Sequence, residues 1–277
     1  MTEVHTILAG LVGSTALDER LVRLFGHWLR KYYLRGHYVP LDVTQTALAE
    51  VLRALPKMGF AGVNVAQPHK TTVLALADRV SDRAALIGTA NTLVFREDNQ
   101  IYADNTEGYG FVENLRSADR KWKAANGPAA ILGAGSAARA AIAALLDAGA
   151  KEIRIANRTR ARADALRTEF GAHIKVFDWV KAGNMLDGAT TFVNCSALGM
   201  EGKPEMRMPL DGLESGCVVM DMVMNPLDTR LLREARAAGC KTSDGLGMFI
   251  HQAVPAFERW FGLRPEVDES VRRSVID

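Results

Sequence analysis

Cysteine is scarce in this 277-residue sequence, and its three cysteines lie far apart. Cys195, Cys217 and Cys240 form no closely spaced pair with one another or with a histidine, as a structural zinc site or a disulfide framework would require. We therefore expect reduced, mostly buried thiols and no metal site. Two of the six histidines, His69 and His251, lie beside polar motifs, and we expect them to pack or to form local hydrogen bonds rather than to react.

The sequence also has no excess of one charge and no long apolar run. There are 34 Lys and Arg against 32 Asp and Glu, which gives a formal net charge of +2. A nucleic-acid or membrane-surface protein normally shows a concentrated basic face, so neither partner is expected. No apolar run approaches the roughly 20 residues that span a bilayer. The first residues lack the basic start and cleavage site of a secretory signal, and we expect a cytoplasmic protein.

Hydrophobic spacing indicates which segments form helices and which form strands. In the first third, residues 21–33 and 47–55 have helical spacing, and residues 61–65 resemble a short buried strand. From about residue 127, apolar runs at 128–132, 152–156, 191–194 and 217–223 alternate with helical patterns, including 160–170. This alternation predicts a parallel sheet covered on both faces by helices, a doubly wound α/β domain. A final amphipathic helix is predicted at 248–261.

A glycine-rich turn lies between the run at 128–132 and an alanine-rich helical pattern. At such a turn the pyrophosphate of a dinucleotide meets free backbone N–H groups and the positive end of the helix dipole. Gly133 permits the tight turn, Gly135 lets the phosphate approach the backbone, and the small Ala138 allows close packing of helix and strand. The cofactor-binding residues predicted here are Gly133, Ala134, Gly135, Ser136 and Ala137.

The end of the next strand distinguishes NAD from NADP. An NAD site places a carboxylate there for the ribose 2′-hydroxyl, whereas this chain has the segment from Asn157 to Arg162 without one. Arginine can hold a 2′-phosphate through charge-assisted hydrogen bonds. The segment therefore predicts NADP(H) as the cofactor, with Arg158 as the main discriminator and Asn157, Thr159 and Arg162 beside it.

Polar residues follow apolar patches at three further places. The first is Asn64-Val-Ala-Gln-Pro-His-Lys70, the second contains Asn91, and the third is Asp104-Asn-Thr-Glu-Gly-Tyr-Gly110. Each is weak evidence alone, because asparagines beside glycines are common in turns and a lysine at a strand end is usually a surface charge.

Together and in this order, these motifs resemble the shikimate dehydrogenase family. The family signature runs N-V-T-x-P-H-K, V-N-T, N-T-D-G, G-A-G-G-A, N-R-T, N-T-x-x-x-G-M, D-x-x-Y-x-P and D-G-L-G-M-x-x-x-Q-A. The chain carries its later parts as Asn194-Cys-Ser-Ala-Leu-Gly-Met200, Asp221-Met-Val-Met-Asn-Pro226 and Asp244-Gly-Leu-Gly-Met-Phe-Ile-His-Gln-Ala253. The matches extend from about Gly10 to Gly262.

The resemblance implies a Rossmann-type NADP domain, a second α/β domain that binds the substrate, and an active site in the cleft between them. The substrate domain would comprise residues 1–107 and 245–277, and the NADP domain residues 108–244. The implied activity is the NADPH-dependent, reversible reduction of 3-dehydroshikimate or a related cyclic hydroxy keto acid, in the shikimate pathway of aromatic amino acid biosynthesis.

The resemblance also implies roles for individual residues. Lys70 matches the family's catalytic lysine, which hydrogen-bonds the substrate hydroxyl and assists proton transfer, and Glu107 takes the place of its partner aspartate. Hydride transfer from a secondary alcohol does require a group that takes up the hydroxyl proton. Met222 and Gly245 match positions near the nicotinamide. Positions on the substrate side are Asn91, Thr106 and Gln252, which match family contacts, and Ala66 and Met224.

The chain departs from the family mainly on the substrate side. Ala66 replaces the threonine of N-V-T and Met224 the tyrosine of D-x-x-Y. Without gaps, Glu19 and Leu21 stand where two serines of the family bind the substrate carboxylate, and two such hydroxyls contribute about 1.5–3 kcal/mol each when well aligned. Arg20, Arg23 or Ser14 could compensate by binding a carboxylate differently. The departures predict a paralogue whose preferred substrate is not shikimate, an idea that robust NADP-linked shikimate oxidation would contradict.

Three functions stay open at this point. The first is reduction of a 3-dehydroshikimate- or quinate-like keto acid, the second is oxidoreduction of another small alcohol or ketone, and the third is nucleotide binding without turnover. A pure binding protein has no need for both Lys70 and Glu107, so their presence favours an enzyme. The partner expected in either enzyme is a small-molecule substrate, with a hydroxy acid as the first candidate, and whether the chain forms a homodimer stays open.

Overall fold

The computed structural model describes residues 6–13 and 19–276. The chain forms two compact units, one of residues 1–107 with 252–277 and the other of residues 108–251. The second division falls at residue 252, whereas the sequence motifs placed it at 245. It lies inside a single long helix, so no loop or change of composition marks it in the sequence.

The first unit is built on a mixed sheet. Strands β1, β2 and β3 are parallel, β5 is antiparallel to both β3 and β6, and β4 lies parallel to β6, in the order β2-β1-β3-β5-β6-β4. Its elements in chain order are β1 (Ile7–Gly13), α1 (Glu19–Lys31), β2 (Gly36–Asp42), α2 (Leu48–Ala54), β3 (Phe60–Val65), α3 (Thr72–Leu76), β4 (Arg79–Val80), α4 (Asp82–Ile87), β5 (Thr92–Phe95) and β6 (Ile101–Asp104).

The second unit has a fully parallel sheet in the order β12-β11-β10-β7-β8-β9. The chain runs outward from β7 in one direction and then in the other, so the order reverses between β7 and β10. This confirms the predicted doubly wound fold, in which ligands bind beside the carboxyl ends of the strands at the reversal. The elements are α5 (Glu107–Ala118), β7 (Ala129–Leu132), α6 (Ser136–Asp147), β8 (Ile153–Ala156), α7 (Arg160–Phe170), β9 (Ile174–Phe177), β10 (Thr191–Asn194), β11 (Val218–Asp221), α8 (Arg230–Ala237) and β12 (Lys241–Ser243).

Two further helices complete the chain, α9 (Gly245–Phe261) and α10 (Glu269–Ile276). Helix α9 begins three residues before the predicted 248–261, because the Asp244 carboxylate accepts a hydrogen bond from Gly247 N at 3.0 Å and caps the first turn. Strand β11 ends earlier than the predicted 217–223, since the chain turns and Val223 N donates to Asp221 Oδ1 at 3.1 Å.

Aromatic packing dominates the core between α1, the sheet of the first unit and the end of α9. The ring of Phe25 stacks on that of Tyr38 with centroids 4.0 Å apart, and Phe257 and Trp260 of α9 lie 5.7 Å from Phe25. The Trp260 indole donates to Leu93 O on β5 at 3.2 Å. The last turns of α9 are therefore part of the core of the first unit.

Among the described residues, no helix is both long and apolar enough to cross a membrane. The three cysteines are unpaired: Cys217 and Cys240 are buried, and Cys195 is half-buried. The burial of these side chains agrees with the expectation of mostly buried thiols. Burial raises the pKa of the Cys217 thiol to about 12, so it carries little thiolate and little nucleophilic reactivity at neutral pH.

Candidate active site

The turn that carries Lys70 directly follows β3 and is tied to β1 and to the loop before β5. Ala66 N donates to Val12 O on β1 at 2.8 Å, and Ala90 N donates to Lys70 O at 2.8 Å. These backbone bonds hold the turn at the carboxyl ends of β1 and β3. Its lysine side chain leaves a rigid base, as a positioned catalytic group requires.

Lys70 and Glu107, which the sequence placed 37 residues apart, meet in the first unit. Lys70 Nζ donates to Glu107 Oε1 at 2.7 Å, and the side chains are 24% and 16% exposed respectively. Each charge is thus partly withdrawn from water but still reachable by a small molecule. One carboxylate bond uses one of the three donors of the ammonium group, so others can meet a ligand.

Asn91 is bonded to Thr106, the residue before Glu107, in the polar network of the first unit. Its Oδ1 accepts hydrogen bonds from Thr106 N at 2.9 Å and from the hydroxyls of Thr106 and Thr92 at 3.1 Å each. Among the described residues, its Nδ2 amide has no hydrogen-bond partner. The three donors on Oδ1 fix the orientation of the amide, which leaves its N–H groups to a ligand. Thr106 is 1% exposed, so its hydroxyl serves to orient Asn91 rather than to contact a ligand.

Asp104, at the end of β6, is a buried charge to which the sequence motifs assigned no role. It is fully buried and accepts hydrogen bonds from Ser81 at 2.7 Å, from Arg83 at 2.6 Å and from Arg259 at 2.7 Å. Burial raises the pKa of its carboxyl, but the bonds from Arg83, Ser81 and Arg259 outweigh burial and lower the pKa from 3.8 to about 2. The sequence feature that could have identified Asp104 is a carboxylate at the end of an otherwise apolar strand, Ile101–Asp104.

The low pKa of Asp104 predicts an acid-sensitive contribution to stability. Because the pKa is lower in the folded state, the contribution is fully present above pH 3.8 and disappears as the pH falls through 2. The contribution of this carboxylate to the free energy of unfolding is about 2 kcal/mol. Urea unfolding between pH 2.5 and 5 should show a steeper loss of stability for the wild type than for Asp104→Asn, and parallel curves would contradict the assignment.

The remaining residues predicted on the substrate side lie in different places. Ala66 and Gln252 belong to the first unit, and Met224 belongs to the second; all three are half-buried. Glu19 begins helix α1. Of the residues proposed to bind a carboxylate instead, Arg23 donates to Val275 O at 3.3 Å and so is partly engaged, whereas Ser14 lies outside the described residues.

In the second unit, the glycine turn has the form of a phosphate cradle. Gly133 has φ of 110°, and a Cβ there would lie 3.0 Å from the backbone of Cys195, so only glycine fits. Gly135 precedes α6, which has no side-chain hydrogen bond at its N-terminus, and a Cβ on Gly135 would meet nothing within 4 Å. The open space and the uncapped amides of Ser136 and Ala137 suit a pyrophosphate.

The loop after β8 is joined to this turn by Asn157. Its Oδ1 accepts from Ala134 N at 3.1 Å and its Nδ2 donates to Thr159 O at 2.8 Å. The Ala134 N–H therefore binds the protein, and the free amides of the cradle come later in the turn. Asn157 sets the distance between the cradle and the arginines that follow.

The arginines of this loop differ in their partners. Arg160 forms ion pairs with Asp164 and Asp178. Arg158 and Arg162 are exposed and have no carboxylate partner among the described residues. Two guanidinium groups that no described carboxylate neutralises suit a 2′-phosphate.

Met222 and Gly245 also lie close together in the second unit. Met222 follows β11, where its N donates to Asn194 O at 3.1 Å. A Cβ on Gly245 would lie 2.7 Å from both Met222 O and Val223 O. The first turn of α9 can therefore approach the end of β11 only because residue 245 is glycine.

Both histidines beside the motifs form ring hydrogen bonds. The His69 ring bonds Val43 O at 2.7 Å and the His251 ring bonds the Ser117 hydroxyl at 3.0 Å, both local hydrogen bonds. Among the described residues, no group of three or more His, Cys, Asp or Glu side chains is arranged to hold a metal ion.

Comparison with known proteins matches three family models along the chain. The shikimate dehydrogenase substrate binding domain matches residues 22–93, the shikimate / quinate 5-dehydrogenase model matches residues 116–197, and the shikimate 5′-dehydrogenase C-terminal domain matches residues 245–270. The matches fall in both units, and the third one spans the start of α9.

Similar proteins cover the whole chain. A shikimate dehydrogenase (NADP(+)) of Cereibacter sphaeroides is 60% identical over 277 residues, which cover 100% of this chain and 99% of that protein. Shikimate 5-dehydrogenase of Thermus thermophilus, solved with NADP(H) and shikimate, is 32% identical with a TM-score of 0.83, covering 98% of each chain. Quinate dehydrogenase of Corynebacterium glutamicum, solved with NAD, is 29% identical with a TM-score of 0.86, covering 98% of this chain and 99% of that one. The chain belongs to the shikimate dehydrogenase family.

Proposed function

We propose that the chain is an NADP-dependent shikimate dehydrogenase, which oxidises one secondary hydroxyl of shikimate to the ketone of 3-dehydroshikimate and catalyses the reverse reduction. The observation that carries the proposal is the partly exposed ion pair of Lys70 and Glu107, 2.7 Å apart. Such a pair can move one proton at a bound hydroxyl, which is the part of the reaction that the protein must supply.

The residues of the second unit fit NADP(H). The turn Gly133–Ala137 would hold the pyrophosphate, and Arg158 with Arg162 would hold the 2′-phosphate. When bound, the nicotinamide accepts or returns the hydride. In the described part of the chain neither arginine has a carboxylate partner, which supports NADP over NAD, as does the 60% identity to a relative named for NADP(+).

Lys70 is proposed to manage the proton. In the oxidation, the pair of Lys70 and Glu107 takes up the hydroxyl proton while the hydride leaves the same carbon, and the C–O bond becomes a carbonyl. In the reduction, the ammonium group returns that proton to the oxygen. Glu107 holds Nζ in place and compensates its charge, and the free amide of Asn91 orients the substrate by donating to a second oxygen.

Shikimate is proposed as the substrate rather than a different alcohol. The 60% identity to a relative named shikimate dehydrogenase supports this choice against the altered specificity predicted from Ala66 and Met224. Quinate is the second candidate, since a quinate dehydrogenase has the same fold with a TM-score of 0.86. A spectrophotometric screen of shikimate and quinate against NADP and NAD tests the proposal, and NADP-linked shikimate oxidation should give the highest kcat/KM.

Arg158→Ala should weaken NADP binding by about 10- to 100-fold, because a charge-assisted bond to the 2′-phosphate contributes about 1.5–3 kcal/mol. Affinity for NAD, which lacks that phosphate, should change little. The measurement is KM and Kd for both cofactors. Arg160→Ala is the matched control, since its guanidinium is engaged by Asp164 and Asp178. An equal loss for NAD and NADP would place Arg158 away from the 2′-phosphate.

A further inference from the structure

We infer that Asp104 is a positioning residue. It holds Glu107, the partner of Lys70, and Asn91 in place through the hydrogen bonds of residues 104–106. The inference rests on the proposed function, since it assigns Asp104 to the reaction in which Lys70 moves the proton. Asp104 lies one residue before the N-T-D-G motif and so is not one of the residues that the motif marks.

The Asp104 carboxylate is surrounded by donors on every side. Oδ1 accepts from Ser81 at 2.7 Å, from Arg83 at 2.6 Å and from Asn105 N at 2.8 Å. Oδ2 accepts from Arg83 at 2.5 Å and from Arg259 at 2.7 Å. Helices α4 and α9 supply the arginines, so the end of β6 is fixed from two elements. A fully buried charge with this many bonds has one orientation.

A first path leads from this carboxylate to Glu107. The Asn105 N–H is held by Asp104 Oδ1, and Asn105 Oδ1 in turn accepts from Glu107 N at 3.0 Å. The other end of the Asn105 amide donates to Thr89 O at 3.0 Å, which prevents it from rotating. The backbone of Glu107 is thus two hydrogen bonds away from Asp104. Its side chain then reaches Lys70 at 2.7 Å.

A second path leads to Asn91. Asp104 O accepts from Asn91 N at 3.1 Å, while the next residue but one, Thr106, binds the side-chain oxygen of Asn91 at 2.9 Å through its N–H. Residues 104 and 106 therefore clamp Asn91 from its backbone and its side chain. A single buried carboxylate at the start of this segment therefore fixes the positions of both Glu107, the partner of Lys70, and Asn91.

Asp104→Asn keeps the shape of the side chain but removes its ability to satisfy all these donors. An amide has only one acceptor oxygen. Its NH₂ group would face the N–H donors of a guanidinium group, where the carboxylate had a second acceptor oxygen. The segment 104–106 must then shift. Because a displacement of about 1 Å at a reacting group can cost about 100-fold in rate, we expect kcat to fall about 10- to 100-fold while KM for NADP stays unchanged.

A double-mutant cycle tests the inference with the full-length protein, with shikimate and NADP as substrates, well below the melting temperature. Asp104→Asn is made in the wild type and in Glu107→Ala. If Asp104 acts through Glu107 and Asn91, its substitution lowers kcat about 10- to 100-fold in the wild type and by a smaller factor in the Glu107→Ala background, where only the path to Asn91 remains, while it lowers Tm equally in both. Asp78→Asn is the control: Asp78 holds the other end of β6 by accepting from Ile101 N at 2.7 Å, and kcat should not change.

The outcomes separate the alternatives. A lower Tm with unchanged kcat would mean that Asp104 only stabilises the fold, and an equal kcat loss in both backgrounds would mean that it does not act through Glu107; either overturns the inference. If Asp104→Asn does not fold, Arg83→Gln, which removes a half-exposed partner, should give a smaller loss of kcat with the same dependence on Glu107. A wild type that oxidises no hydroxy acid would instead defeat the proposed function.

Discussion

Lys70→Ala is expected to lower kcat for shikimate oxidation by about 10²- to 10⁴-fold, the range that a positioned general acid–base group contributes. Its Nζ lies 2.7 Å from Glu107, and no other amine among the described residues forms an ion pair with this carboxylate. The affinity for NADPH should stay within about twofold, because the residues proposed to hold the cofactor belong to the second unit and Lys70 belongs to the first. Steady-state kinetics and a fluorescence titration of NADPH measure the two effects separately.

Lys57→Ala is the matched control for this experiment. Lys57 is an exposed lysine of the short 3₁₀ helix Pro56–Met58, just before β3, whereas Lys70 follows the other end of that strand. Its removal takes away the same charge from the same unit and should leave kcat unchanged. If Lys70→Ala retained wild-type turnover, the proton would have to be moved by another group, and the proposed role of Lys70 would be wrong.

Gly62→Ala should destabilise the protein by about 3 kcal/mol, the upper range for overpacking a filled core. A Cβ at position 62 would lie 2.1 Å from the indole nitrogen of Trp260 and 2.2 Å from Leu93 O. Those two groups are hydrogen-bonded to each other, so the methyl group would separate them. One of the groups is backbone of β5, which cannot move without disturbing its pairing with β3.

Gly26→Ala, in the middle of α1, provides the comparison for Gly62. There a Cβ would meet only the flexible end of Arg30, at 3.3 Å, and replacing glycine by alanine inside a helix stabilises by about 0.5–1 kcal/mol. Urea unfolding should therefore move the two midpoints in opposite directions. Equal midpoints for Gly62→Ala and the wild type would show that the tryptophan can repack freely.

Local patterns predicted much of the second unit. The run at 191–194 gave strand β10 with its observed bounds, Thr191–Asn194, since an unbroken apolar run between polar turns is typical of a strand buried on both faces. The runs at 128–132 and 152–156 predicted β7 and β8 within a residue. The glycine turn followed from the same pattern, because a strand, a turn and a helix in succession leave little choice of geometry.

The contacts that local patterns missed join residues distant in the chain. The Trp260 indole reaches Leu93 across 167 positions, and Asp104 is held by Arg259, which lies on a helix that no local pattern associates with β6. The pair of Lys70 and Glu107 was anticipated only through the family motifs. Periodicity identifies which face of a helix is buried, but not which strand covers it.

The contrast between the two glycines of the cradle has a consequence for how this function can be lost. Gly133 is required by the fold itself, so a substitution there lowers the amount of folded protein and is lost by selection. Gly135 has extended backbone, and a methyl group there meets no protein atom within 4 Å. If Gly135 meets the pyrophosphate as proposed, a single replacement at that site would give a folded protein that no longer binds the nucleotide, with no decrease in abundance to reveal the change.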